Sequence, residues 1–411
     1  MPEENFFVYE KIINAPVDLI YRAFTSATSL REWLCDISTT DPSEGGRIYL
    51  AWNRGYFASG HFIELVPDKK ISFTWIGMGE PDWTQVDVTI SPQESGEGFK
   101  VELAHTGIGK GAEWEEARKE INKGWKMGLE NLKATLEDGQ DLRIMDRPLL
   151  GIYPEDLTYL TDARKQALNI PVDAGVLVTG VVPDYGAEEA GIQPDDVIVG
   201  LEGKSVEGIN TLGNIISEYA PGDQISVQVY REQEKLTFNI DTKTQKAHAL
   251  PATPEELAKD MEASSSKALE TLESVLEDVT DAEASYSPGP EEWSVKETLV
   301  HLIHNERDIH RWINDLVAGQ ERVYDDWPGD LLFRIRATLT TYPKINDLMA
   351  ELRRSLKETV ASVAFLDPEF TRRKASYWRL GTELLGTTRH IQEHVGQIED
   401  NIQAARAAKP E

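Results

Sequence analysis

Thr387-Thr388-Arg389-His390-Ile391-Gln392-Glu393-His394-Val395-Gly396-Gln397-Ile398 decides how the last third of this chain is read. The stretch has no proline, and Ile391, Val395 and Ile398 recur at helical spacing. Positions four apart lie one above the other on a helix face, so His390 and His394 can share a metal ion at about 2.0–2.1 Å from each nitrogen. A pair alone is a weak signal, and the site needs a third ligand from elsewhere.

Working back from that helix, residues 249–411 read as four helices. The first runs from about Pro254 to Val279, and the second begins at Ser294 and passes Trp312. The third covers about Tyr342 to Phe365, and the fourth about Leu380 to Ala407. Ser294-Val295-Lys296-Glu297 is a capping box that opens the second helix. Four helices of this length make a four-helix bundle, where sites form between facing helices. His301 lies on the apolar stripe of the second helix and should point inward. His304, one turn on, is its rival, and His310 is expected in solvent. Five of the chain's 8 histidines fall in this segment, the bias a metal site would leave.

The Trp293-Ser294 helix start, the histidine that follows it and the terminal His-x-x-x-His-x-x-Gln-Ile resemble the DinB/YfiT-like superfamily, which includes metal-dependent thiol transferases and maleylpyruvate isomerases. The resemblance implies a triad of His301, His390 and His394 around a divalent ion, zinc or nickel, with a coordination position left open. The alternative is that these histidines are interior residues satisfied by backbone or carboxylates.

Residues 1–139 read differently. A strand from Phe6 to Ile13 ends at Asn14-Ala15-Pro16, and Val17 to Leu34 carries helical spacing. Strand-like alternations follow at Arg47–Trp52, Tyr56–Val66, Lys70–Ile76, Trp83–Ser91 and Phe99–His105, and a helix from about Glu113 to Asp138 closes the segment. This is an α+β arrangement with a long helix across a curved sheet. Asn14-Ala15-Pro16 with Trp33, Gly45-Gly46, Gly60-His61-Phe62, Phe73-Thr74-Trp75, Leu103-Ala104-His105-Thr106-Gly107 and Gly124-Trp125…Leu129…Leu132 resemble the START-like (SRPBCC) superfamily, in the branch homologous to activators of a heat-shock chaperone ATPase. That implies a helix-grip fold whose interior often holds a hydrophobic ligand. Trp52, Trp75, Trp83 and Trp125 could line such a cavity, or could simply fill the core. His61 and His105 are expected to be interior or rim histidines.

Between these segments, residues 140–248 include Pro148-Leu149-Leu150-Gly151-Ile152, a helical insert from about Leu157 to Leu168, Gly175–Val182, and Ala187-Glu188-Glu189-Ala190-Gly191-Ile192-Gln193-Pro194-Asp195-Asp196-Val197-Ile198. The succession resembles a PDZ domain of the kind appended to bacterial high-temperature-requirement proteases, except that the family usually has Gly-Asp where this chain has Asp195-Asp196. The resemblance implies capture of a peptide C-terminus, or of an internal segment, by strand addition. Leu149, Leu150, Gly151 and Ile152 would hold the carboxylate, and Ile215 and Ile216 would wall the side-chain pocket. A degenerate PDZ fold serving as a spacer is the alternative. The chain's own tail, Ala407–Glu411, ends in a charged Glu that fits an apolar pocket badly.

Net charge is −29, and 14 basic against 23 acidic residues in 1–139, 9 against 18 in 140–248, and 19 against 30 in 249–411 make every segment negative. Phosphate backbones and anionic lipid would be repelled, so neither nucleic acid nor membrane is expected as a partner. The single cysteine, Cys35, excludes an intrachain disulfide and a Cys-based zinc site. No run reaches the length of a membrane span, and Met1–Asn5 lacks the features of a signal peptide, so a cytoplasmic location is expected. The expectation is a multidomain adaptor, helix-grip α+β, then mainly-β PDZ, then all-α bundle. The competing expectation is a metal-dependent thiol transferase or small-acid isomerase working in the bundle.

Overall fold

The structure, a computed structural model, describes residues 5–53, 55–93, 96–160, 162–245, 250–289, 292–321 and 331–408. It divides into two compact units: residues 1–141 together with 248–411, and residues 142–247. The first and last thirds of the sequence therefore share one unit, with the middle third standing as the other. Lys409–Glu411, the end of the tail, and residues 246–249 of the second linker lie outside the described residues.

The N-terminal part is a seven-stranded antiparallel sheet. Strand β1 (Phe6–Ile13) is followed by helices α1 (Val17–Thr25) and α2 (Ala27–Trp33). Next come β2 (Ile37–Thr40), β3 (Arg47–Ala51), β4 (Phe57–Val66), β5 (Lys70–Gly77), β6 (Thr84–Pro92) and β7 (Phe99–Thr106), then α3 (Glu115–Asp138). The spatial order is β1-β7-β6-β5-β4-β3-β2, so the sheet is a meander closed by β1. One face alternates inward, with Ile71, Phe73, Val86, Val88, Val101 and Leu103 buried against Trp125, Leu129 and Leu132 of α3. Gly60 allows β4 to lie this close to β5, because a Cβ there would sit 1.7 Å from the Thr74 carbonyl oxygen. The helical stretch expected over Val17–Leu34 is broken at Ser26, whose backbone is extended and whose hydroxyl donates to the Gly319 carbonyl.

The middle unit holds α4 (Leu142–Met145), β8 (Ile152–Asp156), α5 (Asp162–Leu168), β9 (Val176–Val181), α6 (Gly186–Ala190), β10 (Val197–Leu201), β11 (Lys204–Ser205), α7 (Ile209–Ile216), β12 (Gln224–Arg231) and β13 (Glu234–Asp241). Its sheet runs β13-β12-β10-β9-β8, with β11 paired to β10 and β8 at the edge. Asp195 occupies a left-handed turn position (φ 70°) that suits the family's glycine, and it pairs with Arg164 at 2.9 Å. Asp196 is fully buried and takes two hydrogen bonds from Arg231, at 2.7 and 2.8 Å.

The C-terminal part contains α8 (Pro254–Leu276), α9 (Asp281–Ala284), α10 (Val295–Ala318), α11 (Leu331–Thr341), α12 (Ile345–Ala364) and α13 (Lys374–Ala407). The long helices pack cyclically, α8 on α12, α12 on α10, α10 on α13 and α13 on α8, as in a four-helix bundle. The expected capping box at Ser294 and Glu297 is present, with both reciprocal hydrogen bonds formed. Helix α13 starts earlier than expected, because burial of Tyr377 and Leu380 draws the preceding turns onto the bundle.

Within the first unit, sheet domain and bundle meet around buried charges. Arg379 of α13 donates to Glu321 at 2.7 and 2.9 Å and reaches Glu32 of α2 at 3.4 Å, while Ser376 also bonds Glu32 at 2.5 Å. Burial pushes the Glu32 carboxyl above its ordinary range, the more distant Arg379 offsetting only part of that. Burial acts on Glu321 in the same sense, but the Arg379 hydrogen bonds, the charges of Arg379 and Arg31 and the Trp312 hydrogen bond together outweigh it and hold that carboxyl below the ordinary range.

Candidate metal centre

Helix α10 carries His301, Leu302 and Ile303 in succession, and the apolar pair buries that face against Ile391 and Ile398 of α13. The same packing turns His301 toward His390 and His394, one turn apart on α13. Nε2 of His301 lies 3.0 Å from Nε2 of His390. The ring centroids are 5.1, 5.0 and 4.7 Å apart, and the rings meet edge-on. One ligand nitrogen from each lies within 4.8 Å of the others.

The donor set fits a divalent ion. Three nitrogens around a tetrahedral ion at about 2.0–2.1 Å would be on the order of 3.3 Å from one another, within reach of small rotamer shifts from the observed spacing. All three rings are partly exposed, so the centre is open to solvent on one side. Burial, followed by the neighbouring His394 and His390, lowers the His301 pKa to about 4. Burial and then His394 lower that of His390, against the opposing pull of Glu393. Both rings therefore stay neutral at pH 7, the state in which imidazole binds metal.

Two further side chains support the triad. The Trp293 ring packs 5.1 Å from that of His301. Gln397 Oε1 lies 2.8 Å from Nδ1 of His394 and accepts its proton, which leaves Nε2 with the free lone pair. Gln397 stood in the sequence motif without a role, and only the helix geometry supplies one.

The other bundle histidines are occupied elsewhere. His304, the rival ligand, faces α11: Nε2 donates to Thr338 Oγ1 at 2.9 Å, and Nδ1 accepts from Arg334 at 3.0 Å. Arg334 is itself held by Asp308 through bonds of 2.9 and 3.0 Å. His310 is not in solvent as expected. Its Nε2 donates to Thr359 Oγ1 at 2.7 Å, and Thr359 in turn donates to the buried Glu306 at 2.6 Å.

In the sheet domain, Trp75, Trp125 and His105 pack together with ring centroids 5.6 to 6.2 Å apart. His105 is a satisfied core histidine. Trp125 donates to its Nδ1 at 3.0 Å, its Nε2 donates to Thr84 Oγ1 at 2.8 Å, and that hydroxyl donates to the Trp75 carbonyl at 3.0 Å. Trp52 is half-buried and bonds the Leu34 carbonyl, whereas Trp83 is 49% exposed and does not join the cluster.

In the middle unit, Leu149 is paired with Lys243 through both backbone bonds, and the Leu150 carbonyl accepts from Ala187. Gly151 has φ +86°, and a Cβ there would lie 2.0 Å from Tyr185 Cβ. Among the described residues, the N–H groups of Leu150 and Gly151 donate to no other group, as a carboxylate-binding loop requires. Ile152 opens the edge strand β8. Ile215 of α7 is buried in the core, with Ile216 half-buried beside it.

Comparison with known proteins gives three family matches in chain order. Residues 14–137 match the activator of Hsp90 ATPase homolog 1-like family (AHSA1), 148–242 the PDZ domain, and 266–398 the DinB superfamily. The chain joins an AHSA1 domain, a PDZ domain and a DinB-superfamily domain. Serine protease Do-like HtrB of Bacillus subtilis is 34% identical over 100 residues, covering 23% of this chain and 22% of that protein. A probable periplasmic serine endoprotease DegP-like of Chlamydia muridarum is 45% identical over 66 residues, 16% of this chain and 13% of that protein. This chain thus spans 22% and 13% of the length of those two proteases. Among solved structures, the Aha1 dimer from Colwellia psychrerythraea is 20% identical at a TM-score of 0.29, covering 33% of this chain and 98% of that one. Among the described residues, no helix is long and apolar enough to cross a membrane.

Proposed function

We propose that this chain is a modular cytoplasmic binding protein, with modules at 1–139, 140–248 and 249–411. In this reading the DinB-superfamily bundle holds a divalent ion, zinc or nickel, at His301, His390 and His394. The PDZ domain takes a peptide C-terminus or an internal segment at Leu149–Ile152, with Ile215 and Ile216 walling its pocket. The AHSA1 domain supports a chaperone-related partner. A small hydrophobic ligand lined by Trp52, Trp75, Trp83 and Trp125 is less favoured, because Trp75 and Trp125 are packed against His105.

The observation that carries this reading is the convergence of three imidazole nitrogens from two helices within 4.8 Å. Elemental analysis of the purified protein tests it. Wild type should hold about one divalent ion per chain, and His390→Ala with His394→Ala none; equal content in both removes the triad as the site.

A second reading is a metalloenzyme. Three protein ligands and an open side are the catalytic pattern of a metal site rather than the closed structural one. A divalent ion there supplies Lewis acidity. The chain's own residues hold and orient it: His301 from α10, His390 and His394 from α13, and Gln397 through the His394 Nδ1 proton. Thiol transfer from bacillithiol, mycothiol or glutathione, assayed with and without added metal, separates the two readings. Metal-dependent turnover favours the enzyme, and flat rates across all three thiols leave the binding protein.

A further inference from the structure

The edge strand of the PDZ domain carries a proline where an added peptide would need a donor. Val182 N–H bonds the Gly151 carbonyl at 2.8 Å, so that carbonyl faces β9. Backbone groups alternate along an antiparallel strand, so Ile152, paired with Val181, turns its N–H and C=O outward. The register then shifts at Thr179 of β9, between the Tyr153–Gly180 and Pro154–Val178 pairs. Farther along, Leu157 N–H bonds the Gly175 carbonyl at 3.1 Å, which makes 157 an inward position and 156 and 154 outward ones. The outward positions on β8 are thus Ile152, Pro154 and Asp156. Pro154 has a carbonyl but no N–H.

A second feature closes the far end of the same groove. Asp156 accepts from the Ile209 N–H at 3.2 Å, joining the end of β8 to the first turn of α7. It also accepts from Thr158 N at 3.1 Å and Thr158 Oγ1 at 2.6 Å, which fixes the carboxylate in place. A Cβ on the neighbouring Gly208 would lie 2.3 Å from its Oδ2, so the two elements are in contact there. The outward-facing positions run only from Ile152 to Asp156, about 13 Å at 3.3 Å per residue.

We infer that Pro154 and the Asp156 bridge make this groove a reader of the extreme C-terminus of a peptide, with Pro154 setting where main-chain recognition stops. The inference rests on the peptide-binding reading above and specifies the ligand class: free carboxylate ends recognised by their last residue. A peptide added antiparallel to β8 places its terminal residue at Ile152 and the residue two before it at Pro154. That residue's N–H can still reach the Pro154 carbonyl, but its own carbonyl finds no donor. Its main chain contributes less than in an uninterrupted ladder, and Asp156 blocks the next pairing position. Sequence preference therefore concentrates at the last residue.

The experiment uses the full chain and a library of hexapeptides with free carboxylates, randomised at every position, against wild type and Pro154→Ala. Alanine adopts the backbone angles of proline at this exposed edge site, and an unchanged melting temperature checks that the variant is folded. Wild type should select at the last residue alone, and a selected hexapeptide should bind within two-fold of its own C-terminal tripeptide, which already carries the N–H that reaches the Pro154 carbonyl. Pro154→Ala should add preference at the third residue from the end and strengthen the hexapeptide about 3- to 10-fold, the worth of one net hydrogen bond. Equal preference and equal length dependence in both proteins overturn the role of Pro154 while leaving peptide binding intact. Binding by the variant alone would still place the interruption at Pro154. No binding by either removes the peptide reading itself.

Discussion

His105 in the sheet domain and His301 in the bundle are both drawn out of water, and burial lowers the proton affinity of both, to about 3 and about 4. Their surroundings differ in kind. Around His105 each ring nitrogen has one partner of the right polarity, Trp125 giving and Thr84 receiving, so the tautomer is fixed and no lone pair is left over. Around His301 the nearest polar neighbours are two more imidazoles, His390 and His394; one shared proton can bridge the Nε2 atoms of His301 and His390, 3.0 Å apart, but it cannot satisfy all three converging nitrogens at once. A histidine paired with donors and acceptors stabilises a core, whereas histidines paired with one another leave a place for a cation.

That contrast can be broken or sharpened by measurement. The largest effect belongs to the double variant His390→Ala with His394→Ala, which should lose all bound metal. Its metal-free melting temperature should stay within a degree or two of the metal-free wild type, because no satisfied hydrogen-bond partner is removed from the core.

His105→Leu should behave in the opposite way. It strands the Trp125 N–H and disturbs Thr84 in a buried site, for a loss of about 2–4 kcal/mol in chemical denaturation. Metal content should be unchanged. A loss of metal in this variant would mean that the two sites are not independent.

Acidification should expose His105 next. Its folded pKa of about 3 lies below the ordinary 6.5, so the unfolded chain takes up the proton first. The stability it contributes is present above pH 6.5 and lost as pH falls toward 3, at up to about 1.4 kcal/mol per pH unit. Fluorescence of the buried Trp75 and Trp125 follows that transition, and His105→Gln should flatten the slope. The smallest effect is expected from Gln397→Leu, which frees the Nδ1 proton of His394 and should weaken metal binding about ten-fold by competition titration. An unchanged affinity would mean that the Gln397 contact with His394 takes no part in holding the metal.

Much of this was legible in the sequence where local chemistry and final packing agree. The Ser294–Glu297 box starts α10 where expected, and β1 spans the expected Phe6–Ile13. The facing of His390 and His394 follows from helix geometry alone. The misses fall where tertiary contacts override weak local signals. Strand β2 has four residues, three of them hydroxylic, and becomes a strand only by pairing with β3. Helix α11 carries four β-branched residues in its last turns and interior, Ile335, Thr338, Thr340 and Thr341, which disfavour helix; burial of Ile335 and Thr338 holds it. That missing helix is also why His301 and His304 could not be separated beforehand. Both lie on the inward side of α10, and Thr338 and Arg334 of α11 are what draw His304 away. His310 was misplaced for a similar reason, since its partner Thr359 sits on another helix far along the chain.

The buried contact of Glu32 with Ser376 and Arg379 ties α2, near the start of the chain, to α13, near its end. During synthesis the sheet domain leaves the ribosome well before that helix exists, and the PDZ domain emerges in the interval. Until α13 arrives, Glu32 faces water and the surface that will receive the bundle stands uncovered. A nascent chain of this kind presents an incomplete face over the 344 positions that separate Glu32 from Ser376, and α13 is the helix that seals it.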